Sequence, residues 1–256
     1  MPAVAARSSA PFELNGATAL VTGGARRLGA AIVRTLHAAG ANVVIHCRRS
    51  LDAAQALAAE LEGERAGSTA VVSADLLDMA ALPRLIDAAV ARFGALQVLV
   101  NNASSFYATP LGTISVAAWD DLLGTNLRAP LFLAQCAAPE LRRRGGVLIN
   151  IVDIHGLRPL RDYAVYSVAK AGLIMLTRAL ARELAPAVRV NAVAPGPVLW
   201  PEAGLDAAVQ SKIVAETPLQ HPGSPEDIAG AVRYLCEAPF VTGQVLAVDG
   251  GRSIAW

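Results

Sequence analysis

The sequence has few cysteines, little net charge and no long uncharged apolar run, and each of these absences excludes a class of protein. Its three cysteines, Cys47, Cys136 and Cys236, are widely spaced and form no CxxC pair. An odd number at such spacing excludes a closed disulfide framework and a structural zinc site. We expect buried thiols in a reducing compartment and no bound metal.

The formal charge is only +1 at pH 7. Nucleic-acid-binding proteins usually carry a strongly basic face, so we expect no nucleic-acid partner. No window approaches the roughly 18 uncharged apolar residues of a membrane-spanning helix. Residues 1–11 also lack the apolar stretch of a signal peptide. These features predict a cytoplasmic protein that does not bind membranes.

What the sequence does contain indicates one folded domain. It has 256 residues, of which 54% are hydrophobic and 17% charged, and this is enough to bury a sizeable core. No repeat, linker or change in composition divides it. We expect a disordered tail over residues 1–12 and one domain over residues 13–256.

Strand-like and helix-like segments alternate along this domain. The predicted strands are Ala17–Val21, Asn42–His46, Thr69–Ser73, Gln97–Val100, Gly146–Val152, Val188–Val193 and Gln244–Val248. The predicted helices are Arg27–Ala39, Leu51–Leu61, Met79–Phe93, Val116–Leu123, Ala129–Arg143, Tyr163–Leu184 and Glu226–Glu237. Continuous apolar strands are typical of a parallel sheet that is buried on both faces. The pattern predicts an α/β fold, a doubly wound Rossmann-type sheet of about seven strands flanked by helices on both faces.

A glycine-rich turn, Thr22 to Gly29, connects the first strand to the first helix. Glycines allow the backbone to approach a pyrophosphate, and the N-terminus of the following helix supplies free N–H groups and partial positive charge. A glycine turn alone is weak evidence, but this position between a strand and a helix is typical of dinucleotide binding.

The end of the second strand indicates which dinucleotide binds. Sites that prefer NAD place a carboxylate here for the ribose 2′-hydroxyl, whereas residues 46–50 read His-Cys-Arg-Arg-Ser. Guanidinium groups and a hydroxyl suit a 2′-phosphate, which favours NADP. The alternative is that Arg48 and Arg49 belong to an ordinary solvated loop.

Tyr166 and Lys170 lie four residues apart at the start of a predicted helix, so they share one face. A nearby ammonium stabilises phenolate, so we expect Lys170 to lower the pKa of Tyr166 toward the working range. Asp153 ends the fifth strand, where open α/β sheets bind their ligands. Taken alone, the Tyr–Lys spacing also fits an ordinary surface pair, and Asp153 also fits a strand-end cap.

Together these motifs resemble the short-chain dehydrogenase/reductase family. They are TGGARRLG at 22–29, NNA at 101–103, Asn126, YSVAK at 166–170, Pro195-Gly196 and Asp249-Gly250-Gly251, in the family's order across about residues 17–252. The resemblance implies NADPH-dependent redox chemistry, a homotetramer, and catalytic roles for Asn126, Tyr166 and Lys170. Asn126 would hold a water in the proton relay.

Two departures from the common family pattern are similar to pteridine reductases. Asp153 occupies the position of the usual catalytic serine, and Arg27 replaces the middle glycine of the loop. The segments 101–107 and 46–50 are also similar to those of pteridine reductases. An ionised Asp cannot donate to a ketone oxygen, but it can accept from a pterin's amino and ring N–H groups.

The expected site has a cofactor part and a substrate part. For the cofactor we expect contacts from Gly23, Arg26, Arg27, Leu28, Gly29, His46, Arg48, Arg49, Ser50, Asp75, Leu76, Asn102, Ala103, Ser104, Tyr166, Lys170, Pro195 and Gly196. For the substrate we expect contacts from Arg27, Ser104, Phe106, Asp153 and Tyr166.

Three of the substrate residues have simpler alternatives. Phe106 would stack on a flat heteroaromatic ring or belong to the core. Arg27 would meet both phosphate and substrate or phosphate alone, and Ser104 would bind the ring edge or cap a loop. Trp200 follows the Pro195-Gly196 turn, where the family carries a mobile lid, and fits either a substrate or an oligomer contact.

The resulting hypothesis is the reduction of a pteridine (a dihydropterin, a biopterin-like compound or dihydrofolate) by NADPH, with an Asp–Tyr–Lys proton relay. One alternative is an NADPH-dependent ketone reductase acting on an acyl carrier, a sugar or a steroid. Another is a catalytically silent NADPH-binding sensor.

Overall fold

The computed structural model describes residues 11–200 and 204–255. Most of the predicted tail, residues 1–10, lies outside them. Phe12 was assigned to that tail, but it packs against the core, and its backbone N–H donates to the Glu237 carbonyl at 3.2 Å. The packed part of the chain therefore includes Phe12.

Within the described residues the chain alternates strands and helices. The strands are β1 Thr18–Val21, β2 Asn42–Cys47, β3 Thr69–Ser73, β4 Val98–Asn101, β5 Val147–Ile151, β6 Arg189–Pro195 and β7 Val245–Val248. The helices are α1 Arg27–Ala38, α2 Leu51–Glu64, α3 Ala81–Phe93, α4 Val116–Leu123, α5 Ala129–Arg144, α6 Ala164–Leu184, α7 Ala207–Ala215 and α8 Pro225–Glu237. A π-helical turn, Gly124–Arg128, joins α4 to α5, and a short 3₁₀ turn, Ile154–Gly156, follows β5.

The described strands form one parallel sheet in the order β3-β2-β1-β4-β5-β6-β7. The sheet and its helices confirm the predicted Rossmann-type fold. The chain moves outward from β1 to β3, then returns to pair β4 with the other side of β1. Strand order reverses there, and the carboxyl ends of β1 and β4 open a crevice of the kind in which such sheets bind ligands.

Two apolar layers cover the sheet. One layer packs α1, α2 and α8 on one face, around side chains such as Ile32, Leu57 and Val232. The other packs α3, α5 and α6 on the opposite face, around Leu85, Leu133 and Leu184. Because both faces are covered, the strands can be continuously apolar, as their sequence indicates.

Helix α6 is long and apolar enough to cross a membrane by length and composition alone. Half of its most apolar stretch is buried inside the protein, where it packs against β6 and the π-helical turn. It is therefore a core helix, and its first turns carry Tyr166 and Lys170 into the crevice.

Candidate active site

A groove of about 500 Å³ runs across the carboxyl ends of the central strands. Of the eighteen predicted cofactor residues, thirteen line this groove. They are Gly23, Arg26, Arg27, Leu28, Gly29, Ser50, Asn102, Ala103, Ser104, Tyr166, Lys170, Pro195 and Gly196. The structure therefore brings together residues from five separate segments of the chain.

The glycine loop is closely packed against the segment after β4. Gly23 has a φ of +61°, a left-handed conformation that favours glycine. The Asn102 side chain donates to the carbonyls of Thr22 and Gly23 at 2.9 and 3.1 Å. A Cβ added to Gly29 would lie 2.0 Å from the Gly23 carbonyl oxygen. The loop can therefore adopt this turn only with glycine at position 29.

Five predicted cofactor residues do not line the groove, and two of them are buried. The His46 ring does not line the groove: it is 2% exposed, and both of its nitrogens are hydrogen-bonded to the backbone of Gly23 and Ala74. Leu76 packs into the core beside α3. His46 lies near the end of β2, with the glycine loop and Ala74 against its ring. Leu76 follows β3, and its side chain is covered by α3.

The other three, Arg48, Arg49 and Asp75, lie at the exposed rim beyond β2 and β3. The Arg48 guanidinium lies 3.9 Å from the Asp75 carboxylate, so Asp75 partly neutralises the predicted phosphate-binding pair. Both side chains are more than 40% exposed, which makes this a weak, screened ion pair.

A second cavity, of about 420 Å³, adjoins the groove and shares Arg27, Asp153 and Tyr166 with it. Of the predicted substrate residues, Arg27, Phe106, Asp153 and Tyr166 line this cavity. Ser104 lines the groove instead.

Tyr166 and Asp153 form the central contact between the two spaces. The Tyr166 hydroxyl donates to Asp153 Oδ2 at 2.7 Å, and the backbone N–H of His155 donates to Asp153 Oδ1 at 2.8 Å. Each carboxylate oxygen therefore has one protein donor. A carboxylate accepts about four hydrogen bonds, so it can still accept from a bound molecule.

The pKa of Tyr166 is raised well above its usual value of 10, opposite to the direction expected from the sequence. Burial is the largest cause, followed by the charge of Asp153 and the hydrogen bond to it, while a hydrogen bond with Ser104 acts in the opposite sense. The Lys170 ammonium lies 5.6 Å from the centre of the Tyr166 ring. At neutral pH, Tyr166 therefore keeps its proton and can donate it.

Lys170 is 2% exposed, and its ammonium donates to the Ile151 carbonyl at 2.9 Å. Burial lowers its pKa to about 8, although the Asp153 carboxylate acts to raise it. Because Lys170 lines the groove, its remaining hydrogens can reach a molecule bound there.

Asn126 lies behind the groove, in the π-helical turn between α4 and α5. Its amide donates to the Ser105 and Leu122 carbonyls at 2.9 and 3.0 Å, and its oxygen accepts from the Ser104 hydroxyl at 2.6 Å. The side chain thus orders residues 104–105. Its part in a water relay stays a prediction.

Phe106 is not a core residue, since 42% of its surface is exposed. Its ring stacks on the Tyr163 ring, with the ring centres 4.6 Å apart. It forms a T-shaped pair with the Tyr166 ring, with the ring centres 4.8 Å apart. The aromatic group forms one wall of the second cavity.

Arg27 begins α1 with a φ of +52°, which is uncommon for a residue with a side chain. Its guanidinium donates to the Trp200 carbonyl at 2.7 Å, so it bridges the glycine loop and the segment after Gly196. The backbone at position 27 therefore lies in the left-handed region, which favours glycine.

A buried row of polar side chains connects the strands beneath the site. Asn101 donates to the Asn150 side chain and Asn150 donates to Thr177, both at 2.9 Å. The row ties β4 and β5 to α6, and so holds Tyr166 in register with the end of β5.

Several residues of the second cavity were not predicted from the sequence. His155 and Tyr163 lie close along the chain to predicted site residues, since His155 follows Asp153 by two positions and Tyr163 caps the start of α6. Leu205, Val209 and Ile213 come from α7 or just before it, and nothing in their sequence marks them. Among the described residues, no group of three or more His, Cys, Asp or Glu is placed to hold a metal.

Comparison with known proteins finds similar proteins, several of which are described as reductases. The family described as enoyl-(acyl carrier protein) reductase matches residues 23–253. Pteridine reductase 1 of Leishmania tarentolae is 37% identical, over 92% of this chain and 96% of that protein. A 3-oxoacyl-[acyl-carrier-protein] reductase of Staphylococcus aureus is 35% identical, over 91% of this chain and 97% of that protein.

A solved structure is similar as well. The crystal structure of a blue fluorescent protein from a metagenomic library, in complex with NADPH, superposes with a TM-score of 0.88. It is 36% identical in sequence, and the match covers 94% of this chain and 99% of that one.

Proposed function

The chain belongs to the short-chain dehydrogenase/reductase family of oxidoreductases, and from this we propose that it uses NADPH to reduce a pteridine. The observation that carries the proposal is the 2.7 Å hydrogen bond between Tyr166 and Asp153, at the junction of the groove and the second cavity. A carboxylate at this point selects a substrate that offers N–H donors.

The groove residues fit a dinucleotide. The close approach of Gly29 to Gly23 leaves backbone, rather than side chains, facing the space before α1. Backbone N–H groups at that helix N-terminus are suited to a pyrophosphate. Lys170 and Tyr166 line the same groove, and in this proposal they bind the nicotinamide ribose. The solved relative's NADPH is consistent with this choice of cofactor.

The 2′-phosphate would lie at the rim, beside Ser50, Arg48 and Arg49. Arginine guanidinium groups bind phosphate in a fork geometry, and a phosphate arriving there would compete with Asp75 for Arg48. The local charge remains positive after that ion pair forms, because Arg49 adds a second cation.

NADPH, when bound, supplies a hydride to a carbon of the substrate. Tyr166 supplies the matching proton to the adjacent nitrogen, since its raised pKa keeps the phenol protonated. Asp153 orients that hydroxyl and accepts N–H groups from the substrate with its remaining lone pairs. Lys170 would hold the ribose and add positive charge near the phenol as its proton leaves.

The second cavity suits a flat heteroaromatic ring. Phe106 forms an aromatic wall stacked on Tyr163, while Leu160 and Leu199 add apolar surface. Aromatic faces bind flat rings in offset or edge-on stacks. Arg27 is at the shared edge of the two spaces, where it can meet both a phosphate and a substrate acceptor atom.

A ketone reductase is the second candidate, and the 3-oxoacyl reductase relative favours it at nearly the same identity as pteridine reductase 1. Tyr166 can protonate a ketone oxygen as well as a ring nitrogen. Against this candidate, Asp153 cannot donate a hydrogen bond to a carbonyl when ionised.

We further propose that the protein acts in the cytoplasm as a homotetramer. Helices α4, α5 and α6 share a surface with many exposed apolar side chains, a feature of protein interfaces. They are Val116, Trp119, Leu131, Phe132, Val168 and Met175. Size-exclusion chromatography with light scattering tests this, and a monomer at micromolar concentration would contradict it.

The test of function is NADPH oxidation, measured at the cofactor's own absorbance, with dihydrobiopterin, dihydromonapterin, dihydrofolate and a panel of ketones. Turnover of pterins that collapses in Asp153→Ala supports the proposal, with Asp120→Ala as a matched control on the exposed face of α4. Turnover of ketones alone would select the second candidate. NADPH binding without turnover on either panel would favour a sensor.

A further inference from the structure

The imidazole of His46 lies beneath the glycine loop, at the end of β2. It is 2% exposed, with Nε2 3.1 Å from the Ala74 carbonyl oxygen and Nδ1 3.1 Å from the Gly23 nitrogen. A carbonyl oxygen can only accept, so Nε2 carries the hydrogen. Nδ1 therefore has a free lone pair and accepts the Gly23 N–H.

The same residue holds the next peptide of the loop. The Gly24 N–H donates to the His46 carbonyl at 2.9 Å, so two consecutive N–H groups of the loop bind one residue of β2. The Gly23 carbonyl is held from the other side by Asn102, at 3.1 Å. These contacts fix the rotation of the peptides before and after Gly23, and the second of them carries the carbonyl oxygen that Gly29 approaches.

We propose that His46 is a positioning residue for the dinucleotide: its neutral imidazole holds the peptide N–H of Gly23 and so keeps the glycine loop in the conformation that binds the pyrophosphate. This inference rests on the proposal that the groove binds NADPH, but it is independent of the substrate. It also replaces the direct contact expected from the sequence with an indirect role.

The protonation state of the ring decides whether the contact exists. A proton on Nδ1 would place a donor against the Gly23 N–H donor, and the loop would lose its support. Burial lowers the pKa of His46 and outweighs two opposing effects, the hydrogen bond to the Ala74 carbonyl and the charge of the Asp75 carboxylate. The ring is therefore neutral at neutral pH and becomes protonated only in acid.

Two variants separate the two ring nitrogens. His46→Asn keeps an acceptor near the Nδ1 position, whereas His46→Gln keeps a donor near the Nε2 position and loses the acceptor for Gly23. His221→Asn, on the exposed surface, is the matched control. NADPH dissociation constants from cofactor fluorescence, and Tm values without cofactor, are measured for all of them at pH 7.5.

His46→Gln is expected to raise the NADPH Kd about tenfold or more, as for a buried donor left unpaired. His46→Asn should recover most of that loss, and His221→Asn should match the wild type. At saturating NADPH, kcat should change little, because no reacting atom is touched. Equal Kd values for His46→Gln and the wild type, or equal losses in the Gln and Asn variants, would overturn the proposal.

A pH series provides the second readout, which remains available if His46→Gln does not fold. The cofactor's 2′-phosphate titrates alike in the wild type and His46→Asn, so the ratio of the two Kd values isolates the imidazole. The wild type should lose affinity more steeply than His46→Asn between pH 8 and 5, and parallel curves would contradict the proposal. NADPH binding without pteridine turnover removes only the substrate proposal, whereas no NADPH binding by the wild type removes both.

Discussion

The hydroxyl of Tyr166 lies 2.7 Å from the carboxylate of Asp153, so the first turn of α6 is hydrogen-bonded to the short segment that follows β5. A serine here would both donate and accept. The carboxylate accepts only, and its charge helps to hold the proton on Tyr166. The Tyr166 hydroxyl therefore keeps its proton, and the Asp153 carboxylate beside it can still accept further hydrogen bonds. This is the arrangement that we propose for a substrate with several N–H groups.

Replacing Tyr166 with phenylalanine removes the proton donor and preserves the ring that meets Phe106. We expect Tyr166→Phe to lower kcat by roughly 10² to 10⁴, the usual contribution of a general acid. Tyr234→Phe, on an exposed face of α8, should keep wild-type rates. Steady-state NADPH oxidation measures both variants. Full turnover by Tyr166→Phe would show that another group delivers the proton.

The buried ammonium of Lys170 predicts an alkaline loss of activity. Its pKa is lowered to about 8 by burial, so the charge disappears as the pH rises through that value. Turnover should be high below pH 8 and should fall above it. Lys170→Arg keeps its charge to far higher pH, so whatever activity it retains should lack this decline.

The lowered pKa also means that deprotonation of Lys170 does not itself destabilise the fold. Between about pH 8 and the ordinary value of 10.5, the unfolded chain binds a proton at Lys170 that the folded chain does not. The contribution of Lys170 to stability therefore rises with pH over this window. Thermal unfolding measured beside the rate profile should show no matching loss. An identical alkaline limb in Lys170→Arg would assign the decline to another group.

Most of the fold could be predicted because the strands are continuously apolar. Thr69–Ser73 and Val116–Leu123 agree with the structure at both ends, and the other elements differ by a few residues. Helix α7 was missed because it has only nine residues and its apolar side chains do not form one clear stripe, which makes the helical period hard to recognise. The π-helical turn at Gly124–Arg128 has no periodicity of its own between two ordinary helices.

The site could be predicted where chemistry depends on local spacing, and not where it depends on packing. The glycine loop and the Tyr166–Lys170 pair are local patterns, and the structure brings them into one groove. The buried position of His46 and the raised pKa of Tyr166 could not be predicted because both depend on packing, which a motif does not show. The α7 side chains that line the second cavity reach it only through tertiary packing.

The tight packing of Gly29 predicts a selective loss of cofactor binding. An added Cβ would lie 2.0 Å from the Gly23 carbonyl oxygen, which is backbone and cannot rotate away. Gly29→Ala must therefore distort the loop, and we expect the NADPH Kd to rise at least tenfold, as for the loss of about 1.4 kcal/mol of binding free energy. Fluorescence titration measures the Kd.

Gly230→Ala is the matched control for that variant. An added Cβ at Gly230, inside α8, meets nothing within 4 Å. Alanine there should increase the free energy of unfolding by up to about 1 kcal/mol, because it favours the helix, without changing NADPH affinity. Wild-type affinity in Gly29→Ala would show that the loop has room that the structure does not indicate.

Replacement of Arg189 should lower the stability of the fold and leave catalysis unchanged. Arg189 is the first residue of β6, and its side chain is buried. The guanidinium donates to two carbonyls near the end of α8, that of Leu235 at 2.6 Å and that of Cys236. Charge-assisted hydrogen bonds of this kind stabilise helix ends, and Arg189→Met leaves both carbonyls without this donor. We expect the free energy of unfolding to fall by about 2–4 kcal/mol.

Arg233→Ala supplies the comparison, since Arg233 pairs with Glu237 on the exposed side of the same helix. An exposed pair contributes little, so its loss should cost no more than about 0.5 kcal/mol. Urea unfolding of the two variants measures the difference. Because Arg189 lies at the opposite end of β6 from Pro195 and Gly196, kcat at saturating NADPH should stay near the wild-type value in both. Equal destabilisation by the two variants would mean that the Arg189 contacts add no more than a surface ion pair.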